Sequence, residues 1–185
     1  MNLVPLSWGK PKLFIKNLKV TNAKWKLLPT PVEDSTNLTP AQGDKMEAKI
    51  EGGENEAVKY KKNTYQFLYN IRKAQGRKQP IANSDGVVSA EYAILLQPED
   101  PTTDGIYIER SSANVQDSFT AADGAIWQIT HDALAPSTGN TVKWGNVITS
   151  TKDSKTTIAF EENTDMMAED QTTAVKVEAS EYEAN

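Results

Sequence analysis

Apolar residues spaced two apart organise most of this chain. In Asn63–Arg72, NTYQFLYNIR, Tyr65, Phe67, Tyr69 and Ile71 alternate with Thr64, Gln66, Asn70 and Arg72. Period two predicts a half-buried strand, and the aromatic and β-branched content favours it over a helix built on Phe67, Leu68 and Ile71. Leu13–Val20 and the short Lys24–Leu28, which stops at Pro29, have the same strand character. Glu91–Gln97, EYAILLQ, is the most apolar run and predicts a central strand, ended by the prolines of Pro98–Pro101. In GIYIERSS, Ile106 and Ile108 fall on one face and Tyr107 and Glu109 on the other. Val115–Thr120 and Ala125–Asp132 flank Ala121–Gly124, AADG, a hairpin signal. Lys143–Ser150 and Thr156–Glu161 complete about nine strands. Thr30–Asp44 is a polar loop, and Ala74–Asp85 is a basic, turn-rich connection with room for one helical turn. The pattern predicts a mainly β chain, an antiparallel sandwich or barrel-like domain with at most one short helix.

One stretch does not fit a packed sandwich. Lys45–Tyr60, KMEAKIEGGENEAVKY, reads as a long hairpin folded about Gly52-Gly53, where positive φ permits a tight reversal. Met46, Ala48 and Ile50 alternate with Lys45, Glu47 and Lys49, and Val58 and Tyr60 continue an apolar face on the second arm. Glu51, Glu54, Glu56 and Lys59 leave charges of both signs. Two strands with so few large apolar residues bury too little to stand alone. Mixed charge suits contact with another copy of the same chain.

Composition sharpens this picture. Hydrophobic residues make up 38% and the mean hydropathy is −0.57, which predicts a modest core. The formal charge of −5 is uneven: residues 161–185 hold eight acids and one lysine, whereas residues 1–160 hold 17 acids and 19 bases. The organisation expected is a β domain over 1–160, carrying the 45–60 arm, and an acidic extension over 161–185. Within the extension, Thr172–Ala179 alternates well enough to add a strand to a sheet edge. With no cysteine there is no disulfide and no thiolate metal site. The start, MNLVPLSWGKPKLF, has no apolar run behind a basic region, so no leader is expected. Nothing approaches the roughly 18 apolar residues that span a bilayer, so no membrane anchor is expected.

Candidate chemistry is sparse, and the chain is not expected to be an enzyme. The single histidine, His131, shares a face with Trp127 and Ile129, and no nucleophile-elbow motif exists to complete a triad with Asp132. Glu99, Asp100 and Asp104 fall within six positions but read as a proline-bounded turn without calcium-loop spacing. No phosphate-binding glycine loop is present. Lys59–Lys62 and Arg72–Lys78 are basic, yet Tyr65, Phe67 and Tyr69 alternate like core and not like a base-stacking platform. No catalytic residue, metal ligand or cofactor is predicted.

The order of pieces resembles the tail tube, or major tail, proteins of tailed bacteriophages. The likeness runs over roughly residues 8–145, through WGKPKLFIKNLKV, GDKMEAKIEGGE, KNTYQFLYNI, EYAILLQPEDP and ADGAIWQITHDALAP. It implies a structural subunit of the virion tail, assembled in the host cytoplasm. Copies would form homo-hexameric rings stacked as a hollow tube, joined to other tail proteins, through which DNA passes without sequence-specific binding. The arm residues Lys45, Met46, Glu47, Lys49, Ile50, Glu51, Gly52, Gly53, Glu54 and Glu56 would make the assembly contact. Glu47, Glu51, Glu54 and Glu56 are the candidates to face the lumen. The alternative is an immunoglobulin-like virion or cell-surface binding module that recognises carbohydrate or protein through Trp8, Trp25 and Trp144. The tube reading instead expects Trp25 and Trp127 to be buried.

Overall fold

A computed structural model describes residues 4–152, 155–167, 169, 171 and 173–183. Among them lie twelve strands: β1 (Lys12–Asn17), β2 (Trp25–Leu27), β3 (Asn37–Ala41), β4 (Lys45–Lys49), β5 (Asn55–Tyr60), β6 (Thr64–Arg72), β7 (Val87–Gln97), β8 (Gly105–Thr120), β9 (Gly124–Ala133), β10 (Val142–Lys152), β11 (Lys155–Glu162) and β12 (Lys176–Glu183). A single 3-10 turn, Thr164–Met166, is capped by the Asn163 side chain. The fold is mainly β and barrel-like.

The large sheet runs β10-β11-β12-β2-β1-β7-β8-β9-β6-β3, and β10 also pairs with β8. That last pairing closes seven strands, β8, β7, β1, β2, β12, β11 and β10, into a ring. β9, β6 and β3 extend from β8 as a wing. β8 belongs to both parts: Gly105–Ile108 pairs with β10, and Ser111–Thr120 pairs with β9.

This arrangement explains the apolar run in β7. Strands β1, β7 and β8 are covered on both faces, so alternate residues enter two different cores. Phe14, Ala93, Leu95 and Tyr107 join Trp25, Val147, Ile158 and Phe160 in one core. Leu13, Ile15, Ile94, Ile106 and Ile108 join Phe67, Tyr69, Ile71, Trp127 and Ile129 in the other. At the β8–β10 seam Gly105 lies opposite Gly145, and a Cβ on Gly145 would sit 2.1 Å from the Glu161 carbonyl oxygen. Beside the seam the buried Lys143 ammonium pairs with Glu109 at 3.4 Å.

Several expectations change. Asn37–Ala41, inside the predicted loop, forms β3; it is an edge strand, where a residue such as Pro40 is tolerated. The runs at 105–112 and 115–120 are one 16-residue strand, because Ala113 and Asn114 continue the ladder opposite His131 and Thr130. The connection after β6 holds no helical turn, and the one short helix lies at 164–166. Within the acidic segment set apart at 161–185, strand β12 is not peripheral. β12 lies between β11 and β2, pairing parallel to β2 through Tyr182 and Glu183, and Tyr182 packs edge-on against Phe14 at 5.1 Å. The acidic side chains cost little there, since Lys176, Glu178 and Glu183 stay exposed while Val177 and Tyr182 turn inward.

Candidate assembly interface

Strands β4 and β5 form a separate two-stranded sheet and pair with nothing else. The arm they make continues β3 and β6. Asn37 pairs with Leu68, Ala41 with Thr64, Lys45 with Tyr60 and Ala48 with Ala57, so one register runs along the whole ribbon. Its proximal half is held on the wing by β9, and its distal half leaves the body. At the joint the Lys61 amide donates to the Asp44 carbonyl at 2.9 Å, and the Gly43 amide donates to Asn63 Oδ1 at 3.1 Å. Gly43 is required there, since a Cβ would meet the Lys61 carbonyl oxygen at 2.0 Å. At about 3.3 Å per residue, the stretch from Asp44 to the turn reaches roughly 20–25 Å.

Every residue from 44 through 64 is exposed. Met46, Ile50, Val58 and Tyr60 are each between 43% and 55% accessible. Gly52 and Gly53 take φ of 102° and 90°, as the turn demands. The register corrects one expectation. Met46 faces Lys59 and Ala48 faces Ala57, so that face carries Met46, Ala48, Ile50, Ala57 and Lys59. Val58 and Tyr60 instead share the opposite face with Lys45, Glu47 and Lys49. The arm is therefore apolar in part on both faces, and both its outer edges present unpaired backbone groups.

The charges separate along its length. Lys45 and Lys49 (3.6 Å) both pair with Glu47, and the hydrogen bond from Lys45 holds that carboxyl below the usual carboxylate range. Glu51, Glu54 and Glu56 enter no ion pair among the described residues. Glu56 is the extra residue where the register shifts between the Ala48 and Lys49 pairs. The tip is thus acidic, whereas Lys59, Lys61 and Lys62 make the stem basic, with only Lys61 matched, by Asp44 at 2.9 Å.

The other candidate sites come apart. His131 is fully buried, with Tyr69 Oη 3.0 Å from Nε2 and Ser111 Oγ 3.0 Å from Nδ1. Ser111 Oγ donates to the Tyr92 carbonyl at 2.8 Å, so it accepts from Nδ1–H and leaves Nε2 to accept from Tyr69. This is a closed, neutral chain: the serine proton is committed to backbone, and burial pushes the imidazole down to about 3. Asp132 lies exposed on the other face, accepting from Gln66 Nε2 at 3.0 Å. Glu99 accepts from the Lys10 amide, Asp100 caps its own turn through Thr102, and Asp104 accepts from Asn163. The described residues contain no cluster of three such groups fit to hold a metal ion. Trp25 and Trp127 are buried and Trp144 is half-buried, while Trp8 is 75% exposed. Phe67 and Tyr69 are core, as their alternation predicts.

No helix among the described residues is long and apolar enough to cross a membrane. No protein-family model and no curated protein matches the chain.

Proposed function

We infer that this chain is a structural subunit that self-assembles into hexameric rings, stacked as a hollow virion tail tube for the passage of DNA. The observation that carries the reading is the arm: a ribbon continuous in register with the wing, wholly exposed, apolar in part on both faces and open at both edges. Such a hairpin gains too little from its own contacts to hold its shape in water, so its burial is expected against another copy. The burial of Trp25 and Trp127 and the closed hydrogen-bond chain around His131 agree with a chain built to pack and not to catalyse. Glu47 offers a bore no free charge, because two lysines hold it. Glu51, Glu54 and Glu56 remain unpaired and meet either the bore, where acids keep phosphates from sticking, or cations of the next copy.

A binding module is favoured by one observation. Trp8 stands exposed beside a groove of about 630 Å³ that Lys10, Pro31, Val32 and Asp34 help to line. Negative-stain electron microscopy with light scattering, at low and high protein concentration, tests the two readings. Stacked rings or tubes of uniform bore support the tube subunit. Monomers at every concentration, with a glycan bound in the Trp8 groove, support the module.

A further inference from the structure

The arm and the body end in opposite charges. β6 starts at the arm joint and ends at Arg72, roughly 25 Å away at strand rise. Past Arg72 the chain enters the connection that carries Arg77 and Lys78, and Arg77 folds back to donate to the Arg72 carbonyl at 2.8 Å. The tip of the β8–β9 hairpin lies at this same end, since the Lys73 amide donates to the Ala125 carbonyl at 2.8 Å. The acids of that tip are already matched: Asp123 by Arg72 at 3.5 Å and Asp117 by Lys73 at 2.6 Å. Arg77 and Lys78 are exposed and enter no ion pair among the described residues. Phe119, paired with Ala125 on that hairpin, is 75% exposed at the same end.

Resting on the assembly reading above, we propose that the arm tip of one copy docks head to tail on the far end of β6 in the next. Glu51, Glu54 and Glu56 meet Arg77 and Lys78, and Ile50 packs against Phe119. The two surfaces match in both respects. One is three carboxylates outside any ion pair near an exposed aliphatic side chain; the other is two cations outside any ion pair at the end of the body that also carries an exposed phenyl ring. The contact is heterologous, with the two patches at opposite ends of one strand axis, so it stacks copies along that axis instead of closing a dimer. It sets the polarity of stacking and takes the three tip acids out of the bore. Opposite charge at exposed positions acts mainly on encounter and register, and salt weakens it.

Two variants test this, one carrying Glu51→Lys, Glu54→Lys and Glu56→Lys, the other Arg77→Glu and Lys78→Glu. All five positions are exposed, and unchanged circular dichroism and melting midpoint would establish that each variant folds. Sedimentation velocity of each alone should show a rise of about ten-fold or more in the concentration for half-association. An equimolar mixture should restore assembly where the two variants alternate, because the reversed tip of one then meets the reversed far end of the other and the unreversed tip meets the unreversed far end, each junction joining opposite charges. Either variant assembling alone at wild-type concentration, or a mixture that fails to assemble, overturns the docking while leaving self-assembly standing. The first of these outcomes with the Arg77/Lys78 variant alone would move the tip's partner elsewhere, to Lys59 and Lys62 of the stem. Wild-type chain that stays monomeric throughout overturns both the docking and the assembly reading.

Discussion

Acid should weaken this fold well before its carboxylates are protonated, through the buried His131. The folded imidazole is pushed down to about 3 from an ordinary 6.5 by desolvation, with Ser111 and Tyr69 occupying both ring nitrogens in the neutral form. The unfolded chain takes up a proton near pH 6.5 that the folded chain refuses. Stability is therefore complete above that value and falls as pH drops toward 3. Between pH 7 and pH 5 the loss is about 2 kcal/mol, from 1.36 kcal/mol per unit once the unfolded imidazole titrates. The window is clean because His131 is the only histidine. Carboxyls held low, such as Glu91 beside Arg110, lose their contribution only as pH falls below the ordinary carboxylate range. Urea unfolding at pH 5, 6 and 7 should show a falling midpoint at constant slope. A flat midpoint, or an imidazole resonance titrating near pH 6.5 in the folded protein, would refute the closed Ser111–His131–Tyr69 chain.

Replacing residues 45–60 by Gly-Gly joins Asp44 to Lys61 across their existing hydrogen bond. It should change monomer stability by no more than about 0.5 kcal/mol, as expected of exposed positions, yet abolish assembly by light scattering. Ending the chain at residue 173 removes β12 and uncovers Phe14, Ile158 and Phe160. A loss on the order of 3 kcal/mol or more is expected by thermal melting, with no rings formed. Gly145→Ala pushes a methyl group into the Glu161 backbone at the seam and should cost about 1–3 kcal/mol in urea unfolding.

What the sequence revealed follows physical range. The Tyr65–Ile71 alternation, the EYAILLQ core strand and the Gly52-Gly53 reversal are local signals, and each is where the pattern predicts. The faces of the arm were not legible. Which residue of β5 faces Met46 is set by turn length and by the bulge at Glu56, and a slip of one residue exchanges the faces. β12 was legible as a strand-capable run, but its place between β11 and β2 depends on a parallel pairing across the whole chain that no local pattern encodes. β3 was hidden by Pro40 and its polar neighbours, and the continuity of β8 by Ala113 and Asn114 between its two runs. The segregation of charge into an acidic tip and a basic far end becomes visible only once β6 fixes where each lies.

The most direct test of the central claim is amide hydrogen exchange over residues 45–60, compared between dilute monomer and assembled protein. The account predicts rapid exchange in the monomer and strong protection in the assembly, because the open edges of β4 and β5 become paired or covered. Equal, rapid exchange of the arm in both states, with assembly intact, would contradict it.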